Sequence, residues 1–169
     1  LIGDRTFVNN ASFGAYAAVV QSPAYRDDKT RTTLELLPDL LTNHRGPQLR
    51  LRVGDRVFTG SQAILVSNNM YALDDVAGLG RRMGLDGGIL GVLAVTVRGA
   101  LDAARLVRGV RSGVLTVLTA GEAVVEADAP EVPVGIDGEA IMMPTPVRCA
   151  IRPAALRVRV PRHRPGVPP

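Results

Sequence analysis

Two carboxylates stand two residues apart in the stretch VGIDGEAIMMP, residues 134–144: Asp137 and Glu139, with Gly138 between them. Their spacing admits two readings. Asp-Gly between two strand-like runs is the signal of a two-residue type I′ hairpin turn, in which the acids are incidental. In an extended segment, residues two apart project to one side. One acid could then act as a general base while the other holds a metal ion or a water. A positioned base contributes roughly 10²–10⁴-fold in rate. Spacing alone leaves both readings open.

The other reactive side chains offer less. Residues 78–84, GLGRRMG, resemble a phosphate-binding loop in glycine content. They lack the Gly-Lys-Ser/Thr ending, and no strand–turn–helix pattern surrounds them, so they read as a loop. His44 falls in a loop and His163 in a proline-rich tail, and neither has a partner at metal-ligand spacing. No Gly-x-Ser-x-Gly elbow is present. Asp27-Asp28 and Asp74-Asp75 lie in polar segments and read as solvated turns.

Composition narrows the function classes. The 169 residues suffice for one domain with a real core, and 46% of them are hydrophobic. Aromatics make up 4% and tryptophan is absent, which argues against stacking platforms for nucleic acid. The formal charge is +4; Lys29 is the only lysine among 20 basic residues, so the other 19 are arginine. An arginine excess with abundant Ala, Gly and Val is the mark of a GC-rich genome. It is discounted as evidence for a nucleic-acid partner. A mild attraction to an anionic membrane surface remains. Cys149 is the only cysteine, so no disulfide can form within the chain. No apolar run reaches transmembrane length. The sequence opens on Leu1 and moves at once into the strand-like Thr6-Phe7-Val8. The expectation is a C-terminal part of a longer chain.

These residues must be positioned by short strands. Residues 6–8 read as a strand, followed by a helix capped by Ser12 and carrying Ala15, Ala17 and Ala18. A second helix is expected over 30–42, kinked by Pro38. From residue 48 the period becomes two: Leu49, Leu51 and Val53 alternate with Arg50 and Arg52, and Gly54-Asp55 turns the chain back. Further strands are expected at 63–67, 89–97, 114–118, 123–126, 132–136, 147–151 and 156–160, with a helix over 101–110 and a long loop over 69–88. The pattern predicts a mainly β chain with a few helices, arranged as an antiparallel β-sandwich-like domain over residues 1–161. Residues 162–169 form a Pro/Arg-rich tail.

Three stretches in order resemble the C-terminal domain of the diacylglycerol kinase catalytic family, which includes bacterial lipid kinases and sphingosine and ceramide kinases. They are FVNNASFGAYAAVVQS (7–22), ILVSNNMYALDDVAGLGRRMGLDGGILGVLAV (64–95) and PVGIDGEAIMMPTPVRCAIRPAALRVRVP (133–161). The likeness is nearest to the actinobacterial type, and it spans nearly the whole chain. The resemblance implies a two-domain kinase. Its N-terminal nucleotide-binding domain, with a Gly-Gly-Asp-Gly-Thr loop, is absent from this chain. ATP and Mg²⁺ would sit between the domains, with ATP held mainly by the missing one. The γ-phosphoryl group would pass to a lipid hydroxyl. Carried over residue by residue, Asp137 becomes the general base and Glu139 a member of the magnesium and water network. Relatives that hold a structural Mg²⁺ carry Leu-Asp-Asp-Gly where this chain has Leu85-Asp86-Gly87-Gly88, which leaves Asp86 as a reduced metal ligand.

The implied partners are a diacylglycerol-like lipid substrate, a membrane surface approached peripherally from the cytoplasm, and the nucleotide-binding domain. Nucleic acid is not among them, and homodimerisation stays open. Arg157, Arg159, Arg162 and Arg164 could assist docking to the membrane. Two alternatives stand beside the lipid kinase: a non-enzymatic lipid- or partner-binding sandwich, and a kinase acting on a sphingoid base or NAD.

Overall fold

A computed structural model describes residues 1–15, 17–18, 46–72, 82, 84–107 and 113–157. Among the described residues ten full strands and one full helix follow in chain order. They are β1 (Asn10–Gly14), β2 (Leu49–Val53), β3 (Arg56–Ser61), β4 (Ala63–Asn68), β5 (Leu90–Val95), α1 (Ala100–Val107), β6 (Leu115–Ala120), β7 (Glu122–Ala127), β8 (Glu131–Ile136), β9 (Glu139–Pro144) and β10 (Val147–Ala150). Among the described residues no helix is long and apolar enough to cross a membrane.

The strands form two antiparallel sheets. One has six strands in the order β6-β5-β4-β1-β8-β9, the other four in the order β10-β7-β2-β3. Side chains from both meet in one core. Phe13, Ile64, Val66, Val92 and Val134 come from the large sheet, and Leu49, Leu51, Val125 and Cys149 from the small one. The chain changes sheet over very short spans. Only Gln62 separates β3 from β4, and only Gly121 separates β6 from β7. The sandwich predicted from the period-two pattern is therefore observed.

The small sheet shows how alternation sets its orientation. Leu49 and Leu51 are buried while Arg50 and Arg52 point outward. Across the ladder Glu126 lies 3.7 Å from Arg50 and 3.8 Å from Arg52. Arg148 on β10 bonds Glu122 on β7. These pairs are solvent-exposed, so they specify the outer face more than they stabilise it.

The first strand departs from expectation. Residues 6–8 are irregular, and the strand is β1, which runs through Ser12, the residue expected to cap the helix. Ser12 does not cap a helix. It is fully buried in the centre of the large sheet, and its hydroxyl donates to the Gly135 carbonyl at 3.3 Å. Local preference gave way to pairing on both sides, with β4 and with β8. Ala15, Ala17 and Ala18 are helical, as predicted. Strand β9 was not among the predicted strands; Leu156 and Arg157 lie outside any strand. The helix predicted over 30–42, most of the 156–160 strand and the 162–169 tail fall outside the described residues.

Gly14 ends β1 at a φ of +68°. A Cβ there would stand 2.2 Å from the Gln62 carbonyl oxygen, which accepts the Ala15 N–H at 2.8 Å. Gly14→Ala therefore combines left-handed strain with a backbone collision and should cost about 3 kcal/mol. Urea unfolding should show a lower midpoint at unchanged slope; an unchanged midpoint would contradict the close approach.

Cys149 is fully buried on β10. Burial pushes its thiol up to about 12 from an ordinary value of 9.0, opposed by the Leu1 amino group. The pKa is raised on folding, so the contribution to stability is complete below pH 9 and is lost as pH climbs toward about 12. Iodoacetamide at pH 8 should leave the folded protein unmodified and label it once urea unfolds it. Rapid labelling of the folded protein would contradict the burial.

Candidate functional site at one end of the large sheet

Antiparallel pairing brings the start of β1, the end of β4, the start of β5 and the β8–β9 turn to the same end of the large sheet. Every described residue that the sequence marked for chemistry lies at this end.

Ile136 on β8 pairs directly with Glu139 on β9, so Asp137 and Gly138 are a two-residue hairpin turn. Their φ values are 50° and 97°, positive at both positions as a type I′ turn requires. Nothing lies within 4 Å of a Cβ built on Gly138, so backbone conformation, not space, calls for glycine there. The turn reading of Asp-Gly holds. The extended reading does not, because Asp137 sits in the turn and Glu139 is the first residue of the next strand. Glu139 is exposed.

The Asp137 side chain is far from incidental. Its Oδ1 accepts the backbone N–H groups of Asn9 at 2.8 Å and Asn10 at 2.9 Å, and its Oδ2 accepts that of Val8 at 2.8 Å. The Asp137 N–H in turn donates to the Asn10 carbonyl at 2.9 Å. One carboxylate thus gathers three consecutive N–H groups of the segment that leads into β1. An ionised carboxylate has about four acceptor sites. Oδ2 keeps capacity for another donor.

A second layer of polar groups backs this segment. The buried Tyr71 hydroxyl accepts from Asn10 Nδ2 at 2.8 Å and from Arg82 Nη2 at 2.8 Å, and donates to Asn9 Oδ1 at 3.3 Å. Arg82 Nη2 also donates to the Asn9 carbonyl at 2.9 Å and to Asn9 Oδ1. Its guanidinium lies over the Tyr71 ring, 4.4 Å from the centroid. Asn68 binds the same segment from β4, its N–H on the Asn9 carbonyl at 3.0 Å and its Nδ2 on the Val8 carbonyl at 3.2 Å. Arg82 fell in the 78–84 stretch, and the asparagines and Tyr71 in stretches that carry the resemblance, but none was assigned a role from the sequence. The available signal was the doubled pair Asn9-Asn10 and Asn68-Asn69, each at a strand end, with Asn69 at a φ of 62°.

Asp86 lies exposed in the approach to β5. Gly87 stands where the resemblance implies a second acid, and a Cβ there would stand 2.5 Å from Asn69 Oδ1. The Asn69 carboxamide thus occupies the space in which that acid would begin. Among the described residues no three His, Cys, Asp or Glu side chains gather to hold a metal ion. Mg²⁺ prefers six oxygens in an octahedron, so Asp86 would need ligands beyond the described acids to hold one. His44, His163, Asp27-Asp28 and Asp74-Asp75 lie outside the described residues. Of the 78–84 stretch only Arg82 and Gly84 are described.

No protein-family model and no curated protein matches the sequence. Solved structures do. A diacylglycerol kinase from Bacillus anthracis str. Sterne superposes with a TM-score of 0.54 at 12% identity, over 90% of this chain and 48% of that one. Two further structures from the same organism, assigned as diacylglycerol kinases, give TM-scores of 0.61 and 0.58 at 14% and 15% identity. They too align with 90% of this chain, and with 52% and 50% of their own. The chain spans about half the length of these structures. At such identities the likeness is one of fold: the chain has the fold of the C-terminal domain of diacylglycerol kinase-like proteins.

Proposed function

We propose that this chain is the acceptor-side half of an ATP-dependent lipid kinase, with Asp137 orienting the lipid hydroxyl. The observation that carries this reading is the Asp137 carboxylate, held by three backbone N–H groups at an exposed hairpin tip. The fold likeness supports the reaction class. Phosphoryl transfer asks mainly for positioning and charge neutralisation, and a carboxylate that orients the nucleophile is a recurring part of it. Asp137 is suited to that task because its own orientation is fixed by three hydrogen bonds. The remaining capacity of Oδ2 would accept the hydroxyl hydrogen of a diacylglycerol-like acceptor. Glu139, exposed two residues on, adds a second negative charge at the same tip. ATP, with its Mg²⁺, would be held mainly by the nucleotide-binding domain. The acceptor would be drawn from a membrane surface, with the protein peripheral to it on the cytoplasmic side.

The test is phosphate transfer by the full-length protein, using labelled ATP and vesicles that contain diacylglycerol, with sphingosine and NAD as competing acceptors. Label should enter diacylglycerol. Asp137→Ala should lower kcat by about 10²–10⁴-fold, and Glu139→Gln by less. The Asp137 change also removes three hydrogen bonds to its two carboxylate oxygens and should cost about 1–2 kcal/mol of stability, the low end for bonds to a charged group because the site is exposed. Vesicle binding without label transfer to any acceptor would overturn the kinase reading in favour of a binding module.

A further inference from the structure

Tyr71 and Arg82 have no part in the reading above. Their surroundings give them one. The two residues face each other as an antiparallel bridge. Arg82 Nη2 divides its two N–H groups among three acceptors: the Asn9 carbonyl, Asn9 Oδ1 and the Tyr71 hydroxyl. All three are neutral, and no described acid pairs with this guanidinium.

The contacts are selective. Asn9 and Asn10 are the two residues whose N–H groups meet Asp137 Oδ1. They are also the two whose side chains are held by Tyr71 and Arg82. The Tyr71 hydroxyl uses its one donor and two acceptors in doing so, which leaves it fully satisfied. Val8, whose N–H meets Oδ2, is held separately by Asn68.

We propose that Tyr71 and Arg82 are a clamp that positions the Asp137 carboxylate by fixing Asn9 and Asn10 from the opposite side. The inference rests on the reading of Asp137 as the residue that orients the acceptor hydroxyl. The clamp sets the pair of N–H groups on Oδ1, and so the direction in which Oδ2 presents its remaining acceptor site. Tyr71 and Arg82 are positioning residues that act through Asn9 and Asn10.

The experiment is hydrogen exchange resolved to single amides, on full-length protein carrying Tyr71→Phe or Arg82→Lys, with turnover measured alongside. Both variants keep the bulk of the side chain. Exchange at Asn9 and Asn10 should accelerate roughly tenfold, the loss of about one charge-assisted bond. The Val8 amide should change less, and the amides of β2 and β7 not at all. If the protein transfers phosphate, kcat should fall about tenfold with KM for the lipid unchanged. Unchanged exchange at Asn9 and Asn10 would overturn the clamp, as would a uniform acceleration across both sheets, which marks a merely structural role. Faster local exchange with full turnover would overturn its link to Asp137. Local acceleration in a protein that phosphorylates no acceptor would uphold the clamp and refute the kinase reading instead.

Discussion

Strand β1 has to be hydrogen-bonded along both of its edges, and the candidate site is a consequence of that pairing. Five residues from near the start of the chain lie between β4 and β8, whose residues come some 50 and 120 positions later. Register places Asn10 opposite Ser67 and Ala11 opposite Ile136. The turn after Ile136 then falls beside residues 8–10, and Asp137 reaches backbone groups 127 to 129 positions away in sequence. Contacts of this separation form only after most of the chain is ordered, because the entropy of closing such loops must be met first. The geometry of the turn is therefore a property of the assembled sheet and not of the hairpin alone.

A central strand made of Asn10, Ala11, Ser12, Phe13 and Gly14 is an unusual choice for the middle of a sandwich. Phe13 supplies apolar burial, while Asn10 and Ser12 bring polar groups that must find partners. Ser12 finds the Gly135 carbonyl, and Asn10 finds Tyr71. Small side chains here let β4 and β8 approach, and the polar ones tie the strand's open end to neighbouring loops. The result is a rigid end of the sheet with an acidic tip. The small sheet differs: its outer face is a ladder of exposed arginine and glutamate pairs.

Much of the fold was legible in the sequence. The alternation of Leu49 and Leu51 with Arg50 and Arg52, the Gly54-Asp55 turn and the apolar run at 89–97 all mark elements that are present. The I′ turn at Asp137-Gly138 was legible from its dipeptide. Strand β1 was not, because Asn and Ser are strong local signals for turns and caps, and only tertiary pairing overrides them. Strand β9 was missed because Met142, Met143 and Pro144 lack β-branching; it survives as an edge strand. The site was half legible. Asp137 and Glu139 stood out by type and spacing. What holds Asp137 could not be read, since its partners are backbone N–H groups that carry no residue signature. Tyr71 and Arg82 were hidden for a related reason: their partners are asparagines more than sixty residues away.

The central claim is that one carboxylate organises three consecutive amides at the mouth of the site. Amide proton shifts and exchange rates of Val8, Asn9 and Asn10, compared by NMR between the wild-type protein and Asp137→Ala, test it directly. An amide bonded to a carboxylate loses its acceptor when that side chain is truncated. The account predicts that all three amides shift and exchange faster together in Asp137→Ala, while amides of β2 and β7 are unaffected. Three amides that keep their shifts and exchange rates in the variant would contradict it.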